Sequence, residues 1–200
     1  MNVLLTELGV SPEIQAFFCA TGDLLFDYDG QQEHYGSGFH KIPTTPNLWV
    51  AGNETANEVI VSYSAMEAMA FIAINRARYA NLQQLAFVAI GNRLQQGQAD
   101  WLRQTFPKRK FTLLFGKDEL GHLTDIKVAA GIRNMAIQIH HTGQSRQVLI
   151  DHKGKLVVFK YGEVSLNRYK QAFQIRDRIR TRKPIQSLTF LDQLKYDAER

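Results

Sequence analysis

Between Asn57 and His141 short apolar runs alternate with stretches of helical spacing, and this alternation limits the possible folds more than any other feature of the chain. Glu58-Val59-Ile60-Val61-Ser62-Tyr63 reads as a short strand, followed by a helix from about Ser64 to Arg78 carrying Met66, Met69, Ala70 and Ala73 on helical spacing. Leu85 to Ile90 reads as a second buried strand, closed by Gly91-Asn92. Gln98 to Phe106 follows as a helix with Trp101, Leu102 and Phe106 on its apolar side, stopped by Pro107. Phe111 to Phe115 is a third strand. A third helix begins at Gly121 and carries Ile126, Ala129, Ala130 and Ile132, and Met135 to Ile139 follows as a fourth strand. Strands alternating with helices imply right-handed βαβ units. Strands 58–63, 85–90, 111–115 and 135–140 are therefore expected in one mainly parallel sheet with helices on both faces, an α/β fold.

The flanks follow other rules. Residues 1–56 read as a small α+β prelude. Ser11-Pro12-Glu13 supplies an N-cap, a proline at the first helical position and an acid near the positive helix end. Ile14, Phe17 and Phe18 give that helix one apolar face, and Gly22 is expected to end it. Leu24 to Tyr28 runs into Asp29-Gly30, a two-residue hairpin signal. After the core at 57–141, residues 142–200 read as a hairpin turning at His152-Lys153-Gly154, then helices from about Ser165 to Arg182 and from Leu188 to Asp197.

With 44% hydrophobic and 22% charged residues, the chain is globular in composition and long enough to bury a core without disulfides. Cys19 is the only cysteine, which excludes a disulfide framework and a multi-cysteine zinc site. No stretch offers the roughly 20 apolar residues of a membrane span, and Glu7 and Glu13 lie where a secretion signal would be basic or apolar. A cytoplasmic protein without a membrane partner is expected. The net charge of +5 is concentrated in one segment: Arg168, Lys170, Arg176, Arg178, Arg180, Arg182 and Lys183 face only Asp177 within 168–183. On a helix Arg176, Arg180 and Lys183 would share a stripe, which suits DNA or RNA phosphates; the alternative is a solvated face paired with nearby acids.

Chemistry in an α/β sheet collects beyond the carboxyl ends of the strands. Two such ends stand out here, Tyr63-Ser64-Ala65-Met66-Glu67-Ala68 and Gly116-Lys117-Asp118-Glu119-Leu120-Gly121. Together with Leu85–Asn92 between them they resemble a Toprim domain, the metal-binding fold of bacterial primases and topoisomerases. In that pattern one strand ends in Glu, then Gly or Ser, with an Asp-Ala pair four residues after the Glu. A later strand ends in Asp-x-Asp, followed closely by Gly and a helix. Gly38-Phe39-His40 before the first strand also looks like what precedes Toprim in primase-like proteins of mobile elements. The resemblance spans about residues 57–140.

The departures bear on function. The resemblance implies a Glu acting as acid and base and an Asp pair holding magnesium, but Tyr63 and Gly116 stand at two of those positions. Asp118 remains with Glu119 beside it, and Glu67 replaces the Asp of the first motif. Phosphoryl transfer needs carboxylates for the metal and a group that positions the nucleophile. The resemblance thus implies a catalytically impaired Toprim-like protein, associated with nucleic acid in DNA replication or mobile-element processing. No cofactor is expected, a single-carboxylate Mg2+ site at Asp118 being the remaining option. Two alternatives stay open: a magnesium-dependent phosphotransfer enzyme using Glu67, Asp118 and Glu119, and a protein-interaction module with no nucleic acid. Asp118-Glu119 also reads as an ordinary acidic helix start, and Glu67 as a solvated helix residue. His140 and His141 point to opposite faces of an extended segment and have no supporting ligand spacing for zinc. Ser62 and Ser64 lack the G-x-S-x-G pattern of a nucleophile elbow, and Gly36-Ser37-Gly38 lacks the Lys of a phosphate loop.

Overall fold

The Ser11 cap and the Asp29-Gly30 turn act as the sequence implies. The structure, a computed structural model, describes residues 1–95, 97–142 and 147–200. Asn2 and Ser11 cap two short helices, α1 (Val3–Glu7) and α2 (Pro12–Phe17), by accepting from the Leu5 and Ile14 amides. The second ends earlier than expected, with Cys19 in the left-handed region at φ 54° rather than at Gly22. Strands β1 (Leu25–Asp27) and β2 (Gln32–Gly36) form a hairpin about Asp29 and Gly30. Both turn residues have positive φ, 58° and 100°, the geometry that matches the twist of a two-residue hairpin. β3 (Phe39–Lys41) extends this antiparallel sheet.

The main sheet takes its strands from most of the chain. β4 (Trp49–Gly52) and β5 (Glu58–Ser62) precede helix α3 (Ala65–Asn75), which ends in a 3-10 turn at Arg76–Arg78. β6 (Leu85–Ala89), α4 (Gln98–Thr105), β7 (Lys110–Leu113) and α5 (Glu119–Ile132) complete the alternation. Then come β8 (Gln138–Thr142), β9 (Gln147–His152), β10 (Lys155–Lys160), α6 (Leu166–Phe173), β11 (Ile179–Thr181) and α7 (Phe190–Ala198). The five-stranded sheet has the order β11-β7-β5-β6-β4. Three of its pairings are parallel, and β4 lies antiparallel to β6 at the edge. The fold is α/β, with this mixed sheet and two further antiparallel sheets of three strands. The hairpin at Lys153-Gly154 forms as expected, again with two positive φ angles.

Each face of the main sheet carries its own apolar core. Ile60, Phe87 and Leu114 pack with α1, α2, α3 and α7, while Val59, Val61, Val88 and Leu113 pack with α4, α5, α6 and the β9 strand. Alternation along β5 thus serves two cores, which is why every residue in it is buried. Among the described residues no helix is long and apolar enough to cross a membrane.

Two expectations are corrected. The segment 135–140 is not a strand of the main sheet; α5 is closed by Asn134 at φ 52°, and β8 pairs with β9 instead. Gln138, His140 and His141 are exposed, and a central parallel strand would have to bury both faces. The basic helix Ser165–Arg182 is also shorter than expected. Gln174 turns left-handed at φ 55° and the Ile175 amide returns to the Lys170 carbonyl, ending the helix at Phe173. Ile179–Thr181 instead forms the parallel strand beside β7, with Ile179 opposite Phe111.

Candidate functional site

β5 and β7 lie side by side, Ile60 opposite Thr112 and Val61 opposite Leu113, so the turns after both strands emerge at one edge of the sheet. Ser64 caps α3 by accepting from the Glu67 amide at 3.1 Å, and Asp118 caps α5 by accepting from the Gly121 amide at 2.8 Å. Tyr63 lays its ring against Phe115, centroids 4.6 Å apart, and donates its hydroxyl to Thr124 Oγ1 at 2.6 Å. Burial, with the nearby charges of Asp118 and Asp125, pushes its phenol up to about 12 against the Thr124 hydrogen bond, so it remains protonated.

The three candidate carboxylates are committed to different partners. Glu67 is only 7% exposed and accepts from the Phe190 and Leu191 amides at 2.9 and 3.1 Å, capping α7. Burial pushes it up to about 7, against the lowering effect of those hydrogen bonds. Asp118 holds the start of α5, and Glu119 faces His141 Nδ1 at 3.8 Å. Between the two motifs lies the segment entering α7, where the Lys117 amide donates to the Leu188 carbonyl at 2.9 Å.

At this edge Lys183 Nζ donates to the carbonyls of Phe115 and Gly116, at 2.7 and 2.8 Å, and to Asp125 Oδ2 at 2.6 Å. Asp125 is fully buried, and its Oδ1 has no hydrogen-bond partner among the described residues. Burial pushes Asp125 up to about 7 even though Lys183 acts to lower it, and the same burial holds Lys183 below its usual range. Neither Asp125 nor the role of Lys183 stands out in the sequence reading. The available signal was a lone acid within the apolar Leu123, Ile126 and Val128 of one helix. Glu33 was missed too: fully buried, it accepts from Tyr28, Ala65 and Met66 and pairs with His40, tying the prelude to the start of α3. Its inward place in the alternation of β2 was the signal.

The basic segment does not present one helical stripe. Arg180 pairs with Glu58 at 2.7 Å, Lys183 with Asp125, Lys170 with Asp177, and Arg168 with Glu163 at 3.0 Å. Arg176, Arg178 and Arg182 have no acidic partner among the described residues. Among those residues no group of three His, Cys, Asp or Glu side chains is placed to hold a metal ion.

Close approach at Gly121 gives the edge its shape. A Cβ there would lie 2.2 Å from the Gly116 carbonyl oxygen and 2.6 Å from its nitrogen, both backbone atoms that cannot rotate away. Gly121→Ala is expected to destabilise the protein by about 3 kcal/mol, the upper part of the usual range for overpacking. A urea midpoint within error of the wild type would show that the α5 start yields freely.

No protein-family model, no curated protein and no solved structure matches the chain.

Proposed function

We propose that the chain is a catalytically impaired Toprim-like protein that associates with nucleic acid, in DNA replication or mobile-element processing. The observation carrying this reading is the lysine at the carboxyl edge. The Lys183 ammonium sits on the Phe115 and Gly116 carbonyls, at the strand end where the resemblance would place an acid. Magnesium takes oxygen ligands and tolerates a neighbouring cation poorly. The donor set here does not fit that ion: Gly116 brings no carboxylate, Asp118 is engaged by the Gly121 amide, and Glu67 is engaged by two amides of α7. Tyr63, held protonated against Thr124, is no substitute for a carboxylate base. The net charge of +5 supports the association with nucleic acid. The phosphotransfer alternative built on Glu67, Asp118 and Glu119 is disfavoured because these carboxylates serve three separate partners.

Two titrations test the reading. Calorimetry with MgCl2 and MnCl2 is expected to show no stoichiometric uptake. Fluorescence anisotropy with labelled oligonucleotides is expected to show sequence-tolerant binding that weakens steeply with salt. Stoichiometric metal binding with strand cleavage would overturn the impaired-enzyme reading. Absence of oligonucleotide binding in low salt would overturn the nucleic-acid part.

A further inference from the structure

We propose that a polynucleotide backbone is bound at the amino end of the main sheet, opposite the edge that carries Lys183, with its phosphates in a cleft rimmed by arginines. The inference rests on the association with nucleic acid proposed above and gives it a surface.

The cleft has a volume of about 510 Å3. Arg103 from α4, Lys108 and Arg109 before β7, Arg133 after α5 and Arg178 before β11 converge on it. Its floor is apolar, built on Phe106, Phe111, Ile132 and Ile179. Asp177 is the one acid in the lining, and it is already engaged by Lys170 and by the Ile179 amide at 2.9 Å. Five cations therefore face a cleft whose sole carboxylate is taken.

A second observation concerns individual atoms. The Nε atoms of Arg103 and Arg109 are buried with no hydrogen-bond partner among the described residues. A buried donor left unmade costs about 1–3 kcal/mol, more on a charged group. Arg103 has one ionic contact, to Asp100 on its own helix at 2.9 Å, and Arg109 has none among the described residues. Those two atoms are shut off from solvent, so an anion in the cleft would meet the partly exposed guanidinium groups at their outer nitrogens, whose planar fork suits phosphate oxygens. The carboxyl ends of α4 and α5 come to the same place, and their partial negative charge helps hold the cations when nothing is bound.

The extent of the basic surface favours a polyanion over a small one. Along β7 and β11 alternate residues face opposite ways, so Lys110 and Arg180 line a second cleft on the other face of the same strand pair. That cleft also holds Arg78 and Arg182, and its acid, Glu58, is engaged by Lys110, Arg180 and Thr112. A single phosphate needs only one of these clefts; an extended backbone passing the β11 edge meets both.

The test is anisotropy with a short labelled duplex and a single strand, measured over a salt series. Arg109→Gln/Arg178→Gln is expected to weaken binding roughly tenfold or more and to lower the duplex salt slope by about two phosphate contacts' worth, about 0.9 each. Lys41→Gln/Lys160→Gln, exposed basic residues elsewhere, is expected to bind as the wild type does. If the first pair fails to fold by circular dichroism, Arg109→Lys/Arg178→Lys keeps the charge, loses the fork, and is expected to fall between the two. Equal binding by the cleft variants and the wild type overturns the inference while leaving the nucleic-acid reading intact. A wild type that binds neither oligonucleotide overturns that reading and the inference with it. A cleft that takes tripolyphosphate or poly-glutamate, yet no oligonucleotide, overturns the polynucleotide as its occupant.

Discussion

Lys183→Met is expected to lower the stability of the protein by about 3–5 kcal/mol, the usual cost of removing one partner from a buried ion pair. Methionine nearly preserves the volume, so the loss reports charge and hydrogen bonding rather than a cavity. The substitution strips Asp125 Oδ2 of its donor when Oδ1 already has none among the described residues, and it frees the Phe115 and Gly116 carbonyls. Adding Asp125→Asn is expected to restore much of the loss, because an amide needs no proton uptake to stay uncharged in the buried site, whereas Asp125 without Lys183 does. Arg168→Gln is the natural comparison: its pair with Glu163 is 3.0 Å long but both side chains are about half exposed. Such a surface pair contributes at most about 1 kcal/mol. Urea unfolding of the three variants checks the ordering, and equal losses for Lys183→Met and Arg168→Gln would refute it.

Stability is further expected to fall as the pH rises from about 4 towards 7. Burial pushes both Asp125 and Glu67 up to about 7 in the folded protein, well above the unfolded carboxylate range. Between those values the folded state holds a proton at each group that the unfolded state has released. The unfolding free energy then declines with pH by up to about 1.4 kcal/mol per unit and group. This contribution is complete below the unfolded values and is lost once the pH passes the folded ones. Lys183, pushed down by burial, contributes a slope of the opposite sign on the alkaline side, ending at its unfolded value of 10.5. Glu58 behaves differently. Burial acts to raise it, but hydrogen bonds from Thr112, Lys110 and Arg180 together with the Arg180 charge outweigh that and hold it low, so its contribution is lost on the acid side. Thermal melts across this range check the sign, and Asp125→Asn should remove about half of the decline. A protein that becomes more stable from pH 5 to 7 would contradict the argument.

What could be read in the sequence was local or strongly periodic. Asp29-Gly30 and Lys153-Gly154 demand positive φ, Ser11 and Ser64 cap the helices that follow them, β6 is apolar throughout, and β5 has the apolar run Val59-Ile60-Val61. β11 was hidden because Arg176, Arg180 and Lys183 keep helical spacing, as do Ile175 and Ile179. A three-residue edge strand is specified by the partner it meets, here β7, and not by its own pattern. The candidate site was legible only in outline. The adjacency of the turns after β5 and β7 follows from the alternation, whereas the partners of the acids there do not. Lys183 reaches Asp125 across 58 positions, and Glu67 reaches Phe190 across 123. No window of sequence holds both ends of either contact, so a solvated Glu67 and an exposed Lys183 were the economical readings.

Those long separations also dictate an order of events during synthesis. The first core draws on residues from Leu5 to Ala89 and on Leu114, but Phe190, Leu191 and Leu194 close it. β7 is flanked on one side by β5 and on the other by β11, which leaves the ribosome only after some sixty further residues. Until then the nascent chain presents the open edge of a parallel strand, and until Phe190 and Leu191 follow, a Glu67 on α3 without its amide partners, surfaces apt to pair with another copy. A chain arrested before Ile179 would leave β7 as the border of its sheet in place of the short, basic β11. Productive folding is thus tied to completion of residues 179–194, and a translation pause upstream of them is expected to prolong exposure of the unfinished sheet.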